Sequence, residues 1–409
     1  MTVTALIAAS ACKGKDKNES VATNPTATAS SGETNATEKT TETAEKEKEK
    51  AKPATSGCDW PEHGDHDITI TKGCAVTAKS GLTLTDGVTM TIEEGVKIAF
   101  DTDVLLSVEY GKLVVKGTAS APVTFTSSNK SPAAGDWIGL DFKEKTMAGT
   151  SLDHLIVEYA GSSGYGGVAG IHLEEMRAGG RISITNTTVR SGAQYGIYAE
   201  KNALFAKFEN NTFKENKKGS AHVVAEVLGS VGRGNTFNDP IHVDDSEVHQ
   251  TTTWPPFDVP VIVDGQIKIS SKSSVPTLTI ADKTTLKLGQ DRLISVAEDG
   301  AGALVAKNVT FTSASPSPSP GDWDGIVLHA KSNGTDIENC TFEYFGNGGY
   351  GSNGAITLVD TTAKDLTGVT IKNNTFRKGK LQVMSSSDGN CAPFDKQNKA
   401  DGVPFCSKP

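Results

Sequence analysis

Two stretches of this 409-residue chain set an acid beside a large aromatic ring: Gly135-Asp136-Trp137 and Gly321-Asp322-Trp323. Each is followed by a Gly-Tyr-Gly, at 164–166 and 349–351, centred on Tyr165 and Tyr350. An aromatic ring offers a sugar an apolar face to stack on, and a neighbouring carboxylate accepts from its hydroxyls. Asp136, Trp137, Tyr165, Asp322, Trp323 and Tyr350 are therefore the candidate ligand-binding residues, in two shallow sites. The competing reading makes each Asp a turn residue bonding its own backbone and each Trp a packed rim residue.

Bond cleavage asks for more. Glycoside hydrolysis needs two carboxyls facing one sugar bond. The pairs on offer are Asp136 with Glu158 and Asp322 with Glu343. Two further clusters, Glu62-His63-Gly64-Asp65-His66-Asp67 and His242-Val243-Asp244-Asp245-Ser246-Glu247-Val248-His249, read as polar loops. The chain has no Gly-x-Ser-x-Gly, no Walker loop, no His-Glu-x-x-His and no Cys-x-x-Cys. No catalytic residue, metal ligand or cofactor is assigned. Two equal copies of a site suit binding by avidity better than turnover.

The elements that carry these residues are themselves written twice. Residues 123–140, VTFTSSNKSPAAGDWIGL, answer residues 309–326, VTFTSASPSPSPGDWDGI. The match continues from 155–161 to 340–346 and from 181–189 to 368–376. The register drifts by only a few residues, so turns differ in length while strands are kept. Each copy holds shorter repeats of Asn, a small or Thr residue, then an apolar residue, as in Asn210-Asn211-Thr212-Phe213, Asn339-Cys340-Thr341-Phe342 and Asn373-Asn374-Thr375-Phe376. Around them lie short alternating runs such as LTLT (82–85) and VKIAF (96–100), bounded by Gly, Asp, Asn and Ser. Alternation marks strands with one face buried, and the punctuation is turn chemistry.

Repetition at this scale reads as a stack of coils. The pattern, including the Gly-Asp-Trp-x-Gly box, resembles the bacterial right-handed parallel β-helix repeat family, the pectin-lyase-like solenoids, over residues 60–390. The resemblance implies an all-β, right-handed parallel β-helix with an internal duplication and a disordered tether before it. Buried Asn ladders would run along the stack, with Asn211, Asn339 and Asn373 in turns or ladders and Phe213, Phe342 and Phe376 in the core. Residues 68–385 would form about 14 coils of about 22 residues, ~65 Å long. Polysaccharide lyases and glycosidases share the architecture, but their residue patterns are not matched here.

The N-terminus reads as an address. Ala9-Ser10-Ala11-Cys12 after an apolar run resembles a lipoprotein signal (1–12), with Cys12 lipidated. Residues 13–56 are Thr-, Glu- and Lys-rich with no aromatic, a composition that cannot bury enough surface to fold. Copy one follows at 57–250, copy two at 251–390 and a tail at 391–409. Lys13 after the Cys points to the outer membrane of a cell envelope. Cys58 with Cys74, and Cys391 with Cys406, are local pairs that would staple the two ends in an oxidising compartment, leaving Cys340 as a buried thiol. A formal charge of −9 disfavours nucleic acid. The expected partners are a glycan or cell-surface polysaccharide and, through the lipid, a membrane. The expected state is monomeric. The rival readings are a polysaccharide lyase or glycoside hydrolase, and a purely structural or adhesin-like rod.

Overall fold

The computed structural model describes residues 55–163, 167–176, 181–349 and 351–406. Cys12, the linker to residue 54, Tyr165 and Tyr350 lie outside the described residues. Among the described residues of 51–409, one compact unit, every pairing between the named strands is parallel, and an isolated bridge between Ser271 and Ala301 is antiparallel. One sheet has 13 strands, two have seven, one six and one five. The order is that of a three-faced coil. A strand is laid down on each face in turn, and the fourth strand pairs with the first. Parallel crossovers of this kind wind right-handed, consistent with a right-handed β-helix. The 13 strands of the longest sheet compare with the coil count of about 14 expected above.

The sequence folds this way because each strand offers a short alternating face. Ile68–Ile70, Leu82–Leu84 and Thr89–Ile92 alternate buried and less buried residues. Stacking then places like on like. Phe311, Phe342 and Phe376 occupy one register, their rings 4.7 Å apart and nearly parallel. Asn makes the turns in two ways. Asn186, Asn210, Asn339 and Asn373 take the left-handed conformation, φ 51° to 58°, which Asn tolerates. The next residue points inward. Asn211 is fully buried; its Oδ1 accepts from Thr187 N at 3.0 Å and its Nδ2 donates to Ile184 O at 2.9 Å. Asn374 does the same with Cys340 N (2.8 Å) and Ile337 O (2.9 Å). Cys340 is free and buried.

Each end is sealed. Cys58–Cys74 and Cys391–Cys406 are bonded. Trp60 packs edge-on to Phe100 at the first end, and Phe405 edge-on to Phe376 at the other.

The duplication has one feature the sequence did not announce. The strand after the first Gly-Asp-Trp box, Gly139–Phe142, lies in the 13-stranded sheet; its counterpart, Gly325–His329, lies in the six-stranded sheet. Likewise Val123–Ser127 is in a seven-stranded sheet, whereas Thr310–Ser313 is in the 13-stranded one. Copy two is turned one face around the coil. The change coincides with a break: the seven-stranded sheet ending at Phe205–Glu209 is followed by a single helical turn, Ala225–Leu228, and the six-stranded sheet begins at Ser246–Val248.

Candidate functional site

Both Trp residues are sealed in the stack, which corrects their reading as sugar platforms. Trp137 and Trp323 have 0% exposure. Trp137 lies flat on Phe100, centroids 4.1 Å apart. Each indole N–H donates to a backbone carbonyl one coil on, Glu158 O at 2.9 Å and Glu343 O at 2.7 Å. No apolar face remains for a ligand. Asp136 and Asp322 are turn residues. One carboxylate oxygen of each accepts from a Ser hydroxyl at 2.6 Å (Ser127, Ser313) and from a backbone N–H at 2.9 Å (Ala133, Ser319). Burial raises the Asp136 pKa, but these donors outweigh it and hold the group below the ordinary range.

Glu158 and Glu343 do not face a groove with those acids. Glu158 binds Arg190 through Nε (2.9 Å) and Nη2 (2.7 Å) and takes a hydrogen bond from Thr126. Glu343 binds Arg377 (2.8 Å) and Thr312. These are matching clamps between neighbouring strands. In the 62–67 cluster, His66 bonds Asp65 and Thr55, and Asp67 accepts from Thr89 N. Asp244 and Asp245 accept from the N–H groups of Asp245 and Gln266. The first cluster is a run of bends, whereas the second spans the strands Ile241–Val243 and Ser246–Val248 and the turn between them.

The convergence of chemistry lies elsewhere, on the outward face of the 13-stranded sheet. In Gly139–Phe142 the side chains of Leu140 and Phe142 point into the core, so Asp141 points out. In-register pairing then carries one file along the sheet: Ser107, Asp141, His172, Tyr198, His222, His242. Gly139 makes the entry possible; its φ is 135°, and a Cβ there would lie 2.7 Å from Ala169 O.

At one end of the file the groups are ionic. His172 Nδ1 lies 3.0 Å from Asp141 Oδ1, and its Nε2 lies 3.2 Å from Glu200 Oε1. Lys143 Nζ lies 2.7 Å from Asp141 and 2.5 Å from Glu174. Burial alone would lower the His172 pKa, but the two carboxylates push it up to about 9. His172 is therefore a cation at neutral pH. Asp141, His172 and Glu174 could hold a metal ion by distance; the Lys143 ammonium already supplies the countercharge to both acids.

Further on the file becomes aromatic. Tyr198 lies 5.4 Å from His172 and 4.6 Å from His222. Tyr195 flanks the file, 4.9 Å from His222 and 5.3 Å from His242. Burial, with Asp264 nearby, pushes the Tyr195 phenol up to about 12. Burial lowers His222 against the pull of Asp244 and Asp264, and its Nδ1 is buried without a hydrogen-bond partner. His242 Nδ1 meets Asp264 at 2.6 Å. The cleft beside Asp141 and His172 is only about 20 Å³. The file runs along the outward surface of the sheet, with His172, Tyr198 and His242 half-buried and Asp141 and His222 largely covered by their neighbours.

The fold does not require these residues. At the matching positions of copy two the chain has Val327 for Asp141, Thr357 for His172, Ser385 for Tyr198 and Gln382 for Tyr195. Sequence reading singled out only His242, inside an acidic cluster. The signal was there: Ile171-His172-Leu173, Ile197-Tyr198-Ala199, Ala221-His222-Val223 and Ile241-His242-Val243 recur once per coil.

Residues 62–170 match a family model described as a pectate-lyase like beta helix domain. No curated protein and no solved structure matches the chain. That match and the stacked parallel sheets together identify the chain as a parallel β-helix repeat protein.

Proposed function

We propose that this protein binds a glycan along the file Asp141–His172–Tyr198–His222–His242, and that the solenoid presents this face from a cell envelope through a lipid on Cys12. The pectate-lyase-like description of the matching model suggests a carbohydrate-related role. The observation that carries the reading is the asymmetry between copies. The scaffold is duplicated, yet only copy one places imidazoles, phenols and carboxylates in register on an outward face. A sheet repeat of about 4.8 Å sets successive polar groups at a spacing that an extended sugar chain can follow. Phenol and imidazole edges supply apolar contact, while the acids and ammoniums fix hydroxyls. A flat site of this kind binds at about the millimolar to micromolar level.

The test is a glycan array with the purified protein, followed by titration of any hit against Tyr198→Ala and the pair His172→Gln, His222→Gln. Loss of binding in variants that remain folded at the assay temperature supports the reading. Binding that survives all three substitutions removes the file as the site, and an array with no hit removes the glycan reading.

A catalytic reading rests on one observation. Burial lowers the pKa of His222, and its imidazole packs against the rings of Tyr195 and Tyr198, centroids 4.9 and 4.6 Å away. That is a proton acceptor beside proton donors. Release of reducing ends or unsaturated products, lost in His222→Gln, would establish it.

A further inference from the structure

Asp324 is the one carboxylate with 0% exposure among the described residues. Its copy-one counterpart is Ile138, an apolar side chain packed against Gly167. One oxygen, Oδ1, accepts from Gly349 N at 3.2 Å. The other, Oδ2, is buried with no hydrogen-bond partner. A carboxylate taken out of water with an uncompensated oxygen is strongly unfavourable unless a positive charge or a proton meets it. The backbone around it is already spent. Its N–H donates to Arg292 O, and its carbonyl accepts from Gly346 N and from the Ser352 hydroxyl.

A second acid comes from the preceding coil. Asp291 is close enough for its charge to act on Asp324, and the Asn347 amide sits between them, donating to Asp291 Oδ1 and partly offsetting the burial of Asp324. Asp291 holds a left-handed φ of 58°, fixed by its N–H bond to Asp322 O. Arg292 is the nearby cation, but its Nε is committed to Asp264 O. The loop that closes over Asp324 also fits a close approach. A Cβ on Gly349 would lie 3.1 Å from both Asp324 oxygens, so only glycine lets the chain come this near.

We propose that Asp324, Asp291 and the Asn347 side chain form a calcium site specific to copy two. The donors are hard oxygens from two carboxylates, with an amide whose oxygen is brought to the site by rotation about its terminal bond. Such a set suits Ca²⁺, which accepts irregular oxygen ligation, better than Mg²⁺, which demands near-ideal octahedra, or softer metals. The ion neutralises the buried charge and ties the loop after residue 346 to the coil before it. In copy one the equivalents are Asp103, Ser162 and Ile138: Asp103 accepts from Ser162 at 2.7 Å, and Ile138 supplies no donor. Copy one therefore binds no ion at this corner.

The experiment uses the full chain stripped with EDTA. CaCl₂ and MgCl₂ are titrated by calorimetry, and unfolding temperature is followed with and without each. The expected result is one Ca²⁺ per chain with a Kd on the order of 10⁻⁴ to 10⁻³ M, an unfolding temperature raised by a few degrees, and a weaker Mg²⁺ response. Asp324→Ile, which installs the copy-one residue, and Asp291→Asn both abolish the Ca²⁺ heat, while Asp103→Asn, at the copy-one equivalent of Asp291, leaves it unchanged. A wild-type protein that shows neither heat nor a temperature shift at millimolar Ca²⁺ overturns the proposal, whatever the variants do. So does a Ca²⁺ heat that persists in Asp324→Ile, or stabilisation by mild acid with no response to Ca²⁺, which would assign the orphan oxygen a proton.

Discussion

Trp137 and Trp323 show how one residue type can serve two ends. A Trp beside an Asp before a strand fits a sugar platform and a packed corner equally well. The decision lies with Phe100 and Phe342, which come from neighbouring coils and stack against the indoles. Trp137→Ala and Trp323→Ala are each expected to cost about 3–5 kcal/mol as cavity substitutions, measured by urea unfolding, with no change in glycan titration. A loss of glycan binding at unchanged stability would restore the platform reading. The inward Asn residues make a second case. Asn211→Ala leaves Thr187 N–H and Ile184 C=O buried without partners, so about 2–4 kcal/mol is expected to be lost. The outward Asn210, which contributes its left-handed turn, is expected to tolerate Gly with a far smaller change.

At the scale of the element, the outward file of the 13-stranded sheet gives the protein a pH signature. His172 has a folded pKa of about 9, above its ordinary value near 6.5. Its pairing with Asp141 and Glu200 therefore contributes fully below pH 6.5 and is lost as pH rises through 9. His222 has the opposite sign: burial lowers its pKa, so stability falls when acid forces a charge onto it. Unfolding curves from pH 6 to 10 are expected to show a loss of stability in the wild type of up to about 3 kcal/mol that is absent in His172→Gln. Equal slopes for both proteins would remove His172 as the source. The strands of this file were legible as alternating runs. The file itself was not, because its members are separated by a whole coil. Their adjacency depends on turn lengths that sequence periodicity does not specify.

At the scale of the molecule, solenoid coils contact only their neighbours, so the ends are the weak points. Each disulfide closes a loop, with sequence separations of 16 and 15, and is expected to contribute about 3 kcal/mol. Cys58→Ser with Cys74→Ser should increase amide exchange in the first coils and leave the centre of the 13-stranded sheet protected. Loss of protection along the whole sheet would instead mean that the coils unfold as one unit. Lipidation at Cys12 is expected to be visible as incorporation of a palmitate analogue, abolished by Cys12→Ser; labelling that survives the substitution excludes that anchor.

Several properties were decided in the sequence alone. Short alternating runs, Asn-x-Thr-Phe phrases and a repeated box already specify stacked parallel strands, because in-register stacking needs little more than an apolar residue at every second position and an Asn or Gly at each corner. The disulfide partners followed from proximity along the chain. Only the tertiary structure decided which faces of the repeated box are reachable. It sealed the Trp rings, committed Glu158 and Glu343 to Arg190 and Arg377, and turned copy two by one face. It also assembled Asp141, His172, Tyr198, His222 and His242 into one row. The physical reason is that a strand's own pattern says which side chains point out, whereas what meets them there comes from residues a full coil away.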